Sequence, residues 1–249
     1  MNEERAAAFP RFPELQTPRL WLREVTLADA EWYLEHFSRP EVVRGQGFAA
    51  PADIAVATDE LCWYFVDLFA ERSGFRWGIT LRDRRDLIGS IGFYKWVDAQ
   101  AEVGYDLDPA WWGKGIMTEA LTAALDFAFG PMQLQRVEAL VLVTNDRSAR
   151  VLERAGFTRE ALLPLHGHDE RGVLCDELIF ARGPDNVARF QAAVLDDPSL
   201  EQRLRTIDDW DAFVTEALAA AAKRGIALTA TELEAERRRA QIAWLARWA

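Results

Sequence analysis

The segment Asp108-Pro-Ala-Trp-Trp-Gly-Lys-Gly-Ile-Met-Thr-Glu-Ala120 concentrates residues that could do chemistry. Gly113 and Gly115 flank Lys114 between an apolar run ending at Leu107 and a helical pattern beginning near Thr118. A glycine loop that opens a helix leaves backbone N–H groups unpaired and pointing outward, and the helix dipole adds about half a positive charge there. Such a terminus offers phosphate binding, with Lys114 as an extra cation. The same spacing also serves as a tight structural turn; no Gly-Lys-Ser/Thr or third glycine makes it a P-loop or a dinucleotide fingerprint. A covalent enzyme intermediate is not expected, because Cys62 falls mid-helix, Cys175 falls in a strand, and no serine is framed as a nucleophile. His166, His168 and Asp169 have the residue types of a metal corner. With three histidines and two distant cysteines in the whole chain, however, no standard zinc set forms and no metal is expected.

The elements that must position this loop are readable from periodicity. Arg19 to Glu24 alternates as a half-buried strand, and Asp29 to Phe37 and Asp53 to Arg72 carry helical spacing. Trp77–Leu81, Ile88–Trp96 and Ala101–Leu107 read as three consecutive strands, an antiparallel meander with a charged turn at Asp83–Asp86. After Pro109 the order becomes helix (Thr118–Phe129), strand (Arg136–Thr144), helix (Asp146–Ala155, closed by Gly156) and strand (Val173–Ala181). The expected class is therefore α/β with a mixed central sheet flanked by helices. Gly183-Pro184 marks a change: beyond it strand signals stop, Ala217–Ala222 is nearly all alanine, Pro198 and Gly225 punctuate helices, and Thr229 to Glu232 fits a capping box. Two domains are expected, 1–183 as the α/β core and 184–249 as a small all-α module.

Composition narrows the function. Half the residues are apolar and 28% are charged, with a net charge of −11, which describes a folded protein without the basic footprint that nucleic acid requires. No secretory h-region and no apolar run long enough to span a membrane appear, so a cytoplasmic protein is expected, with oligomeric state left open.

Read together, these motifs carry a resemblance. Thr17-Pro-Arg-Leu-x-Leu-Arg23, Ile88-Gly-x-Ile-Gly-Phe93, Glu102-Val-Gly-Tyr-x-Leu107, the Trp112-Gly-Lys-Gly-Ile-Met-Thr-Glu-Ala120 loop, Asn145-x-x-Ser148, Gly156-Phe-x-x-Glu160 and Asp176-Glu-Leu-Ile-Phe-Ala181 follow in order. The chain resembles the GNAT acyltransferase superfamily over residues 15 to 183, most closely its ribosomal-protein N-terminal acetyltransferase branch. The resemblance implies that acetyl-CoA, or another acyl-CoA, is the cosubstrate. Its pyrophosphate would lie on Gly113, Lys114, Gly115, Ile116, Met117 and Thr118, and its arm would run between the strand ending at Leu107 and the strand leading to Asn145. A main-chain amide between Tyr105 and Leu107 would stabilise the oxyanion, and Asn145 would hold the arm. An attacking α-amine titrates near ~8 and a lysine amine near ~10.4, so each must lose a proton as the thiolate leaves. Glu102 is the implied base and Ser148 the implied thiolate partner; their bland alternatives are a solvated strand-edge carboxylate and a helix-start hydroxyl. Superfamily relatives often carry a tyrosine acid where this chain has Leu152, so another group must serve the thiolate. His168, placed in the loop before the last strand, titrates near neutrality and is a third catalytic candidate. Trp112 and Met117 also depart from the usual loop residues. Trp63, Trp77, Trp96, Trp111 and Trp112 either wall an acceptor tunnel or belong to the core.

Residues 187 to 239 resemble the Nif-eleven-like leader-peptide family through Phe190, Val194, Asp197-Pro-x-Leu200, Leu204, Ala217, Gly225 and Leu228-Thr-x-x-Glu-Leu233. This implies a docking module for a peptide or for peptide-maturation enzymes; a helical cap or dimerisation element is the alternative. The expected reaction is transfer of an acetyl group from acetyl-CoA to a peptide or protein amine, the N-terminal α-amine above lysine, by direct attack. Alternatives are a longer acyl donor acting on a lysine-type side chain in peptide maturation, a noncatalytic acyl-CoA- or peptide-binding protein, and acetylation of a small amine such as an antibiotic.

Overall fold

The computed structural model describes residues 9–44, 46 and 48–245, with side chains through Arg238. The readings made above of the extreme N-terminus and of the last four residues fall outside this range. The chain divides at Gly183/Pro184 into two compact units.

In the first unit the described residues form one eight-stranded sheet. Its strands are β1 (Leu15–Gln16), β2 (Leu20–Arg23), β3 (Phe75–Leu81), β4 (Leu87–Val97), β5 (Gln100–Leu107), β6 (Arg136–Leu142), β7 (Thr158–His168) and β8 (Leu174–Arg182), in the order β1-β2-β3-β4-β5-β6-β8-β7. Neighbours are antiparallel except β5 and β6, so the sheet is mixed. The parallel join is short: β5 and β6 pair only at Gln100↔Arg136, Ala101↔Val137 and Glu102↔Glu138. From Val103 to Leu107 the two strands run without a shared ladder and open a V.

Helices cover both faces. On one lie α1 (Ala30–Phe37), α2 (Pro40–Val43) and α3 (Ile54–Leu61). They share a cluster of Tyr33, Phe37, Val42, Leu61 and Phe65 with Val25 and Leu87. α3 runs on through a π-helical stretch, Cys62–Asp67, into a last α-turn, Leu68–Ala70, so the helical pattern read over Asp53–Arg72 is one element with a widened middle. On the other face α4 (Ile116–Phe129) buries two rows at i,i+4 spacing, Met117, Leu121, Leu125 and Phe129 beside Ile116, Ala120, Ala124 and Ala128. These rows pack on Trp77, Ile91, Phe93, Val103 and Val137, where each large side chain removed from water contributes about 1.5–3 kcal/mol. α5 (Asp146–Arg154) adds Leu152, and Gly156 ends it at φ 82°.

β7 corrects the sequence reading, which passed from Gly156 to the last strand without it and set His168 in a loop. β7 is an edge strand with mostly exposed side chains and contains Pro164 and Gly167, so no apolar alternation announces it. His168 is the last residue of that strand, paired with Leu174.

The second unit contains α6 (Asn186–Leu195), α7 (Pro198–Arg205), α8 (Trp210–Ala222) and α9 (Ala230–Leu245). The punctuation reads as expected. Asp197 caps α7, Gly225 follows α8 at φ 67°, and Thr229 and Glu232 exchange hydrogen bonds as a capping box. Phe190, Leu200, Ala217, Ala221, Ile226 and Leu233 form its own core.

Candidate active site

The loop between β5 and α4 is built to present amides. Gly113 and Gly115 sit at φ 73° and 72°, the left-handed region glycine enters at no steric cost. Gly115 precedes α4 as its cap, and the first helical amide to find a carbonyl is Glu119, which donates to Gly115 O at 3.1 Å. The amides from Gly113 to Thr118 make no backbone hydrogen bond among the described residues. The carbonyls, by contrast, are tied back: Arg19 donates to Lys114 O at 3.0 Å and to Gly115 O at 3.2 Å. Arg19 is itself held by Glu119 at 2.5 Å, and Glu119 also accepts from Thr17 Oγ1 at 2.5 Å. Burial raises the Glu119 carboxyl, but Thr17 and Arg19 prevail and hold it below its usual value. This brace from the turn before β2 turns the carbonyls inward and frees the donors, and it leaves no local sequence signal because its partners lie about a hundred residues apart. Lys114 is exposed and lies over the Trp111 ring at 4.8 Å, while Arg147 lies over Trp112 at 4.1 Å, so two cations flank the cradle.

The V is lined by backbone. Asp108 N donates to Ile88 O at 2.8 Å; in an antiparallel ladder alternate residues face the partner strand, so Val103, Tyr105 and Leu107 turn their amides away from β4 and toward the gap. Their carbonyls are partly spoken for: Gln46 donates to Tyr105 O at 3.2 Å and the Trp112 indole to Leu107 O at 2.8 Å. What Leu107 leaves for a ligand is its N–H. Asn145 Oδ1 accepts from Ser148 N at 3.1 Å and caps α5, which leaves its Nδ2 without a partner among the described residues.

Glu102 sits at the vertex, at the last paired position of β5 and β6, and accepts from Lys95 Nζ at 2.8 Å. Its side chain is 12% exposed. Tyr94 lies across β5 against Gly104, where a Cβ would meet its ring at 2.8 Å. Burial and then the Glu102 carboxylate push the Tyr94 phenol up, so it stays protonated. Glu102 and Tyr105 are three residues apart on a strand and therefore point to opposite faces. Ser148, in the first turn of α5, lies with its Oγ 2.8 Å from Tyr105 Oη. The structure thus brings Asn145, Ser148 and Tyr105 together, with Glu102 across the strand. His168 is exposed at the end of β7, five residues beyond Leu163, and its side chain has no hydrogen-bond or ion-pair partner among the described residues. His166 pairs with Glu177 at 2.7 Å.

On the Glu102 face lies a polar cluster that no motif announced. Asp106 accepts from Arg76 at 2.7 Å, lies 2.7 Å from His36 Nε2, and takes a short hydrogen bond from Ser90. Burial alone would raise its carboxyl, but His36, Arg76 and Ser90 together lower it to about 2. Beside it, burial raises Tyr33, Tyr64 and the Glu60 carboxyl. The Tyr33 hydroxyl and one Glu60 oxygen are buried without a well-aligned partner. Of the tryptophans, Trp77 is core at 0% exposure and Trp63 is 62% exposed on the π-helical stretch; Trp96, Trp111 and Trp112 pack at the edge of the core.

Proteins of known structure share this fold. Mycobacterium smegmatis RimJ in complex with CoA-disulfide is similar over 75% of this chain and 96% of its own, with a TM-score of 0.63 and 24% identity. Uncharacterized N-acetyltransferase YoaA of Bacillus subtilis is 37% identical over 154 residues, 61% of this chain and 86% of its own. The [ribosomal protein uS5]-alanine N-acetyltransferase of Escherichia coli is 31% identical over 156 residues, 59% of this chain and 78% of its own. Residues 19–158 match the family described as acetyltransferase (GNAT) domain, and the chain belongs to that family as an N-acetyltransferase.

Proposed function

We propose that this N-acetyltransferase takes its acetyl group from acetyl-CoA and delivers it to the N-terminal α-amine of a peptide or protein. The observation that carries the reading is the pairing of β5 with β6 at only three positions, ending at Glu102. A pantetheine arm is itself amide-bearing and fits a gap lined by the amides of Val103, Tyr105 and Leu107, while the phosphates suit the donors of Gly113, Lys114, Gly115, Ile116, Met117 and Thr118. Glu102 accepts the amine's proton, directly or through water. A β5 amide faces the carbonyl oxygen where charge develops. Ser148 attends the departing sulfur, with His168 as a third proton-handling group. The acceptor side suits an amine: Glu60, Tyr64, Tyr94 and Glu102 offer carboxylates and phenols, and Tyr64 lies close enough to Glu60 and Arg76 for their charges to act on it. The uS5-alanine relative supports an α-amine acceptor, and a cytoplasmic site of action is consistent with that substrate. No helix among the described residues is long and apolar enough to cross a membrane.

A second reading concerns residues 184–249, read as a Nif-eleven-like docking module for a peptide substrate or its maturation machinery. An apolar hollow of about 1120 Å³ in this unit, lined by Phe190, Val194, Leu204, Trp210, Phe213 and Leu233, favours it. In that setting a longer acyl chain on a lysine side chain replaces acetyl on the α-amine. Both readings are tested by mass spectrometry of the full chain and of residues 1–183, each mixed with acetyl-CoA or a long-chain acyl-CoA and a panel of alanine-initiated peptides, lysine peptides and small amines. The first predicts one acetyl group on N-terminal α-amines. Long-chain acylation of lysine, lost on truncation, would replace it with the second. Coenzyme A binding without acylation of any amine would make the protein a binding module.

A further inference from the structure

Tyr105 and Ser148 reach across the open end of the V from opposite sides. Tyr105 lies on β5, whereas Ser148 lies in the first turn of the helix that follows β6. The phenol oxygen stands 2.8 Å from Ser148 Oγ and 3.3 Å from the Ser148 carbonyl oxygen. The serine is held on its other side by its own N–H, which donates to Asn145 Oδ1 at 3.1 Å. One turn further along α5, Leu152 is fully buried in the core and offers no hydroxyl.

From this contact we infer that Tyr105 is a positioning residue for the leaving thiolate: its phenol donates to Ser148 Oγ and thereby aims the serine's own proton at the sulfur. The Ser148 carbonyl oxygen can only accept, so the phenol hydrogen is turned toward Ser148, and of the two serine oxygens it faces, Oγ at 2.8 Å is the nearer acceptor. Once Ser148 Oγ accepts, its single hydrogen points out of the pair. Burial, only partly offset by the contact with Ser148, raises the phenol, so it remains protonated across the working pH range. The same property excludes Tyr105 as the acid, because its proton is held far more tightly than that of a thiol, which titrates near ~8.5.

The step balances without another reagent. The amine nitrogen forms the C–N bond, the C–S bond breaks with its electron pair on sulfur, and Glu102 takes the ammonium proton. Sulfur leaves as a thiolate held by the Ser148 O–H. The inference rests on the acyl-CoA reading above.

Coenzyme A itself is the probe, which makes the test independent of the acceptor. The thiol of enzyme-bound coenzyme A is titrated by ultraviolet difference absorbance, against the same enzyme holding desulfo-coenzyme A to cancel tyrosine signals. In the wild type the bound thiol should ionise below its free value. Tyr105→Phe, which keeps the ring and its packing, and Ser148→Ala should each weaken that ionisation about tenfold, as loss of one hydrogen bond to a charge does. The double variant should add nothing further. A Tyr105→Phe titration equal to wild type, with Ser148→Ala shifted, overturns the role of Tyr105 and leaves that of Ser148 standing. Equal titrations in all variants overturn the pair while coenzyme A binding stands. Failure of the wild type to bind coenzyme A overturns the inference and the acyl-CoA reading together.

Discussion

At the scale of single residues, the site separates its charges by burying some and wetting others. Asp106 is the extreme case: its side chain is 1% exposed, yet it stays ionised because Arg76, His36 and Ser90 all contact it. Its carboxyl falls to about 2 in the folded state from an ordinary 3.8. A depressed carboxyl contributes stability that is present above its unfolded value and lost as pH falls through the folded one. Stability should therefore hold down to about pH 4 and decline toward pH 2. Asp106→Asn should cost about 3 kcal/mol at neutral pH, because it leaves the buried Arg76 guanidinium uncompensated, and should flatten that acid limb. Urea unfolding across the pH range checks both, and an unchanged acid limb would mean that other carboxylates control it. Glu102 contrasts with Asp106: it meets the 68%-exposed Lys95 at the vertex, so its partner is free to move aside, as the proposed attack by an amine requires.

At the scale of elements, the Gly113–Gly115 loop is a product of the turn before β2 as much as of its own glycines. Arg19 holds two loop carbonyls and Glu119 holds Arg19. Arg19→Ala should loosen the loop, and Gly115→Ala should force an L-residue into the left-handed region at a cost of roughly 1–2 kcal/mol. Each should weaken coenzyme A binding about tenfold with little change in kcat; calorimetric titration against wild type is the check, and unaltered affinity would remove the loop from phosphate binding. The glycines, the alternating strands and the α4 stripe were legible because each is a local pattern. The Arg19–Glu119 brace, the Asp106 cluster and the Tyr105–Ser148 contact were not, since each joins residues that only the sheet order brings together. β7 is illegible for a different reason, as an edge strand buries too little to leave an alternating apolar signature. The π-helical stretch was hidden too, since Leu61, Phe65 and Phe69 satisfy helical spacing whichever way the turn is wound.

At the scale of the whole molecule, the chain has two units, each with its own apolar core. The boundary at Gly183-Pro184 was legible because strand signals stop there. What the second unit does was not legible, since caps and small-residue packing arise in any helical bundle. Family membership rests on the first unit, which contains the cradle, the V and the vertex carboxylate.

The measurement closest to the central claim is kcat for acetyl transfer to an α-amine peptide in wild type and Glu102→Gln at saturating acetyl-CoA, with coenzyme A affinity measured alongside. A base at the vertex predicts a fall in kcat of about 100-fold or more with affinity unchanged. Equal kcat in the two proteins would contradict it and assign Glu102 to its ion pair with Lys95 alone.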